Sequence, residues 1–359
     1  MKVGIVGMPN AGKSSLFNAL TRAGAEAANY PFTTIEPNVA IVAVQDDRLD
    51  QVAATVGASN VVPDTIAFHD IAGLVAGASK GEGLGNQFLA NIRETDAIVH
   101  VVRAHHDPNV IHPEGSVDPL RDIDTIETEL IYADLEQAER RHDRVVRQAR
   151  GGDKAAIADE AWLRAVIDAL QAGRPVRTVP VPEAAPNAVR DLAPLTAKPV
   201  LFVANVDEGD DAVPPEIAAH AEAQGARAVA ISSRLESELT ELDDEEATAM
   251  RADLGVSESG LRRVVDGAFA LLELIAFFTA GEDKPAQSWH LRRGLTAWHA
   301  AGEIHSDIQK GFVRAEVIGW DALVEAGGYA GGRDRGTLRV EGRDYVMADG
   351  DVITIKFTP

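Results

Sequence analysis

The sequence predicts an α/β protein: a mostly parallel sheet wrapped by helices, interrupted by a helical hairpin and followed by a small β-rich unit. Three observations predict it. Short apolar runs alternate with helical stretches, the pattern of buried parallel strands and their crossovers. Between residues 121 and 195 the apolar positions step by threes and fours instead. From residue 276 onward short apolar strands are separated by Gly- and Asp-rich turns.

The first element is the apolar run Lys2–Val6, followed from Ser14 by Leu16, Phe17 and Leu20 at helical spacing. Between them Gly7-Met8-Pro9-Asn10-Ala11-Gly12-Lys13-Ser14 satisfies the phosphate-loop pattern G-x-x-x-x-G-K-[ST]. Gly7 and Gly12 allow backbone conformations in which successive N–H groups turn inward onto phosphate oxygens. The helix that follows adds its free N–H groups and the positive end of its dipole. Lys13 would neutralise β- and γ-phosphates, and the Ser14 hydroxyl would ligate Mg2+. The expected ligand is a nucleoside triphosphate.

Composition narrows the alternatives. The chain has 359 residues, enough for two or three domains, with 45% hydrophobic and 25% charged residues. It has no cysteine, which excludes disulfides, thiolate metal sites and cysteine nucleophiles. With 34 basic against 56 acidic residues the net charge is −22, which argues against wrapping nucleic acid over the whole surface, so no DNA partner is expected. No apolar run reaches membrane-span length, and a cytoplasmic protein with no membrane partner is expected.

After the first helix, Asn29 to Asn38 contains Pro31, Thr33, Thr34 and Pro37, a structured loop leading into the strand Val39–Val44. Thr34 is the candidate there for capping Mg2+ and sensing a γ-phosphate, with Thr33 second. The next strand delivers Asp70 at its carboxyl end, where open α/β sheets bind ligands. Asp70 would hold Mg2+ directly or through water, and the Gly73 N–H would meet the γ-phosphate. The segment from Val75 to Gly85, with four glycines, reads as a second switch loop. Ala97–Val102 is a further buried strand, with His100, His105, His106 and His112 on or after it at no metal-ligand spacing.

Ile126, Leu130, Ala133, Leu135, Ala138, His142, Val145 and Ala149 form a helical stripe, and Trp162, Leu163, Val166, Ile167 and Leu170 resume it after Gly151-Gly152. This reads as an antiparallel hairpin of coiled-coil character, its stripe serving as core. The α/β pattern then returns with a strand ending in Asn205-Val206-Asp207-Glu208 and another ending in Ser232-Ser233. Guanine-binding switches use Asn-Lys-x-Asp, whose aspartate accepts from guanine N1–H and N2–H₂. Here Val206 replaces the lysine and Glu208 the aspartate, so the apolar residue would pack on the base and guanine selectivity should be lost.

These motifs, together with Phe32-Thr33-Thr34-Ile35-Glu36-Pro37-Asn38, Asp70-Ile71-Ala72-Gly73-Leu74 and the run Gly77 to Phe88, resemble the YchF family of Obg-like ATPases. Phe278-Thr279-Ala280-Gly281 resembles the entry to that family's C-terminal TGS domain. The resemblance implies a P-loop NTPase G domain over 1–120 and 196–275, an inserted helical hairpin over 121–195, and a β-grasp-like TGS domain over 276–359. It implies ATP hydrolysis in preference to GTP, association with ribosomes and a negative role in stress responses. The family's nucleotide segment falls on Asn10, Ala11, Gly12, Lys13, Ser14 and Ser15, its Mg2+ ligands on Ser14 and Thr34, and its adenine contacts on Asn205 and Val206. Glu208 and Ser232 complete the expected nucleotide set. Asn10 matches the asparagine that helps relatives hold K+ between the phosphates; a turn role is the alternative.

Leu74 stands where Ras-like enzymes carry a water-orienting glutamine and cannot replace it by hydrogen bonding. The resemblance places that task on His112, with a loop or structural histidine as the alternative; Lys13, His112 and Gly73 are the catalytic candidates. Arg234 follows Ser232-Ser233 where close relatives carry small uncharged residues, and would crowd or contact the base. Near the C-terminus Arg333, Arg335, Arg339 and Arg343 form a basic island, read as an rRNA contact or a solvated face. The expected function is a slow Mg2+-dependent ATPase switch on ribosomes. A non-catalytic ribosome-binding module, a GTPase switch and, less favoured, a small-molecule phosphotransferase are the alternatives.

Overall fold

A computed structural model describes residues 1–27, 38–71, 84–107, 110, 112–113, 115–256 and 258–358. Thr33, Thr34, Gly73, Leu74 and most of the second switch segment lie outside these. The described strands are β1 (Lys2–Val6), β2 (Val39–Val44), β3 (Val61–Val62), β4 (Asp64–Asp70), β5 (Ala97–Arg103), β6 (Val200–Asn205), β7 (Arg227–Ile231), β8 (Leu274–Thr279), β9 (Ala286–Arg292), β10 (Phe312–Gly319), β11 (Arg339–Glu341) and β12 (Asp351–Phe357). Helices used below are α1 (Lys13–Ala27), α2 (Asp47–Val56), α3 (Leu84–Arg93), α4 (Pro119–Ala149) and α5 (Lys154–Gln171).

Two compact units form. The first comprises residues 1–42 and 67–271. Its sheet runs β2-β4-β1-β5-β6-β7, with β4, β1, β5, β6 and β7 successively parallel. Every residue of β5 is buried, as expected of a strand covered on both faces. Register places the carboxyl ends of β1, β4, β5, β6 and β7 along one edge: Ile5 lies beside Asp70, Arg103 beside Asn205, and Asn205 beside Ile231. The connections that follow β1, β4, β5, β6 and β7 therefore leave the sheet at the edge where open α/β sheets bind ligands.

The inserted hairpin is present. Asp118 caps α4, accepting from the Arg121 N–H, and Asp153 caps α5 after the glycine turn, accepting from Ala155 N–H. Ala138, Val145, Trp162, Leu163, Val166 and Leu170 form its core, so the stripe is buried rather than offered to a partner. Arg141 pairs with Asp159 at 2.6 Å across the two helices. Nearer its start, α4 packs Ile126, Leu130 and Ala133 among Val6, Phe88, Leu89, Ile92 and Ile98 of the sheet unit. There the buried Asp134 accepts from Leu195 N–H at 2.8 Å, Thr196 N–H at 2.8 Å and the Thr196 hydroxyl at 2.7 Å. Burial pushes this carboxyl up, against the three hydrogen bonds that favour its charged form.

The second unit comprises residues 43–66 and 272–359. Its sheet runs β11-β10-β12-β8-β9-β3. β8 to β12, read across as β9-β8-β12-β10-β11, with the helix Ala297–Ile304 after the second strand, form a β-grasp arrangement. The core gathers Phe277, Leu291, Ala300, Val317 and Ile353. The stretch 43–66 falls in this unit, whereas the motif-based boundaries assign it to the first domain. It supplies β3, parallel to β9, and α2, capped by Asp46 and closed by Gly57 in the left-handed region. Arg48 pairs with Asp349 at 2.7 Å, and Lys284 accepts from Ser59 N–H at 3.0 Å. Among the described residues no helix is long and apolar enough to cross a membrane.

Candidate nucleotide-binding site

The loop between β1 and α1 has the backbone that its glycines permit. Gly12 has φ +102°, and a Cβ there would collide with the side-chain amide of Asn205; at Gly7 it would strike the Val101 carbonyl oxygen. Asn10 takes the left-handed region at φ +63°, which asparagine tolerates better than most residues. Ala11 N–H donates to the Met8 carbonyl at 3.2 Å, and Ala11 itself is buried. Ser14 and Ser15 lie in the first turn of α1, where helix N–H groups have no partner within the helix.

Lys13 is buried, and its ammonium donates to the carbonyls of Gly7 at 2.9 Å and Met8 at 2.8 Å. It is thus held against the loop it serves. Burial lowers its pKa to about 8, and the Asp70 carboxylate opposes that shift. Burial likewise pushes the Asp70 carboxyl up, with Lys13 opposing. A carboxylate desolvated at the strand end, offset by one lysine and with the Ser14 hydroxyl on the adjoining helix, suits a hard cation that takes oxygen ligands.

The loops after β6 and β7 meet this cradle through one amide. Asn205 donates from Nδ2 to the Ala11 carbonyl at 3.0 Å and accepts at Oδ1 from Ser233 N–H at 3.0 Å. Its own carbonyl accepts from His105 Nδ1 at 3.1 Å. The side chain expected to touch a base is therefore engaged in joining the phosphate loop to the β7 loop. Val206, expected to lie on the base, instead turns its side chain into a core with Val102, Ile123 and Phe202, so a contact from Val206 to a base would come from its backbone. Ser232 caps the helix Ser233–Leu239, its hydroxyl accepting from Leu235 N–H at 3.4 Å. Glu208 is paired with Arg234 at 3.1 Å, and Arg234 also reaches Glu238 at 3.2 Å.

His112 is buried, and its Nε2 pairs with Asp122 Oδ2 in the first turn of α4 at 2.8 Å. It is not a solvated loop histidine. His100 lies inside β5 with its ring 5.5 Å from that of Phe202, and burial lowers its pKa to about 3. Among the described residues no group of three or more His, Asp or Glu is placed to hold a metal ion by itself. One contributor escapes motif reading: Arg103, fully buried at the end of β5, donates to the carbonyls of His105, Asp107 and Val110 and so orders the histidine-bearing loop. The only sequence signal is an arginine closing an otherwise apolar strand.

A parallel sheet whose first strand ends in this loop, with Lys13 inside it and Asp70 beside it, defines a P-loop nucleoside triphosphatase domain. Comparison with known proteins agrees. Residues 2–135 match a family model described as 50S ribosome-binding GTPase, and residues 274–358 match YchF-GTPase_C, described as a protein of unknown function. The chain is 46% identical over 99% of both lengths to the ribosome-binding ATPase YchF of Bacillus subtilis, and 48% identical over 99% of both to that of Haemophilus influenzae. The solved Schizosaccharomyces pombe YchF GTPase matches with a TM-score of 0.87 at 35% identity, over 99% of this chain and 97% of that one. The chain belongs to the YchF family.

Proposed function

We propose that this protein binds an Mg2+–nucleoside triphosphate in the phosphate loop, hydrolyses ATP in preference to GTP, and acts as a slow nucleotide switch associated with ribosomes in the cytoplasm. The observation that carries the reading is the built cradle: Gly12 packed against Asn205, with Lys13 buried in the loop. Relatives at 46% and 48% identity bear the name ribosome-binding ATPase, which supports the substrate and the partner.

Each residue then has a task. The segment Asn10–Ser15 would receive the phosphates through backbone N–H groups, and Lys13 would give up its contacts with the Gly7 and Met8 carbonyls to meet phosphate oxygens. Ser14, Thr34 and Asp70 would hold Mg2+, which when bound neutralises phosphate charge and orients the leaving group. Asn10 would contribute to a K+ site. Gly73 would sense the γ-phosphate through its N–H. His112 would position the attacking water, with Asp122 holding its Nε2. Ser232 and Asn205 shape the base side, and Glu208 lines its rim.

Single-turnover hydrolysis of ATP and GTP, with and without potassium, tests the reading. Faster turnover of GTP would overturn the purine assignment. The buried His112–Asp122 pair favours one second reading, in which nucleotide is a bound ligand and turnover stays at background. In that case Lys13→Ala and His112→Ala would leave ribosome pelleting unchanged.

A further inference from the structure

We propose that Arg234 strengthens the purine preference of this site by offsetting the charge of Glu208, the carboxylate that guanine would require. The inference rests on the proposed nucleotide reading and adds a specificity residue to it. Its basis is geometric. Asn205 ties the loop that carries Glu208 to both Ala11 and Ser233, so the β6 and β7 loops stand together at the phosphate loop, on the side where a nucleoside would extend. On that rim Arg234 Nε lies 3.1 Å from Glu208 Oε1 and 3.2 Å from Glu238 Oε1.

The arrangement is poorly suited to holding the fold together. The side chains of Arg234 and Glu208 are 74% and 43% exposed, and ion pairs so exposed contribute little to stability. It is well suited to recognition. Guanine offers N1–H and the N2 amine, two donors that need a bare carboxylate. A carboxylate ion-paired with a guanidinium meets those donors with its charge partly offset. Adenine makes no such demand: its N1 is an acceptor, which a bare carboxylate would repel and a neutralised one tolerates. One arginine therefore disfavours guanine and relieves adenine at the same position, discrimination by a repulsive as well as an attractive element. Glu238 accepts the Arg234 Nε–H, and Asp107 adds negative potential, so the cation is kept on the rim.

The test is the ratio of Kd values for GTP and ATP, measured by calorimetry on the full chain with Mg2+ and non-hydrolysable analogues. Arg234→Ala should lower Kd(GTP)/Kd(ATP) about threefold, the worth of an exposed ion pair. Arg234→Lys should restore most of the ratio, and adding Arg234→Ala to Glu208→Ala should shift it no further than Glu208→Ala alone. An unchanged ratio in Arg234→Ala overturns the proposal. So does a loss of GTP affinity, which would make Arg234 itself a reader of guanine O6 and N7. If Lys13→Ala abolishes binding while Arg234→Ala leaves the ratio as it was, the phosphate-loop reading stands and this inference alone falls. If the wild type binds neither triphosphate, both fall together.

Discussion

Asn205 is a single amide whose two ends are both used, one on the Ala11 carbonyl and one on the Ser233 N–H, with little solvent to replace either. Removing it leaves two backbone groups without their partner, at about 1–3 kcal/mol for each that stays buried. Asn205→Ala should accordingly lower the urea midpoint and weaken triphosphate binding together. Asn205→Asp can still accept from Ser233 N–H but sets a carboxylate oxygen against the Ala11 carbonyl, so it should bind triphosphate no better than the alanine variant. An Asn205→Ala protein with wild-type midpoint and affinity would contradict this. At this scale the sequence was partly legible. The backbone of the phosphate loop was readable, because its glycine spacing marks where a positive φ is taken, as at Gly12. The direction of the Val206 side chain was not, because a residue just past a strand end can face the ligand or the core, and only packing decides which.

At the scale of elements, α4 belongs to two cores, one with the sheet and one with α5, and Asp134 lies in the stretch where it meets the sheet unit. Asp134→Ala strands three donors from residues 195 and 196, and should cost about 2–4 kcal/mol of stability by denaturant titration. The stripe on α4 and α5 was readable from periodicity alone, since 3.6-residue spacing is what a buried helix face requires. What periodicity could not supply is the placement of α2 and β3, whose short apolar runs look alike whichever sheet they join. Their attachment to β9 carries a pH signature. Asp64 Oδ2 accepts from His290 Nδ1 at 2.6 Å, and that bond raises the histidine pKa above 6.5. The folded state then holds the proton more tightly than the unfolded chain. The pair's contribution is fully present below pH 6.5 and lost as pH rises through the folded value. The stability gap between wild type and His290→Gln should therefore be larger at pH 6 than at pH 8, on the order of 1 kcal/mol. An equal gap at both values would count against the pair.

At the scale of the whole molecule, neither unit is a continuous piece of chain. A fragment 272–359, the longer segment of the second unit taken alone, would lack β3 and α2, the Arg48–Asp349 pair and the backbone bonds from Ser59 to Lys284 and from Ala286 to Asn60. It should unfold at lower urea than the same unit in the full chain, read by circular dichroism; matching midpoints would show that 43–66 is dispensable.

The interrupted path of the chain also dictates when the protein can be finished. Residues 43–66 emerge during synthesis about two hundred residues before β8 and β9 exist to receive them, a wait of roughly ten to forty seconds at ordinary elongation rates. Throughout that interval Val61 and Val62 have no sheet to join. The C-terminal unit can close only once β12, which lies between β10 and β8 in its sheet, has been made.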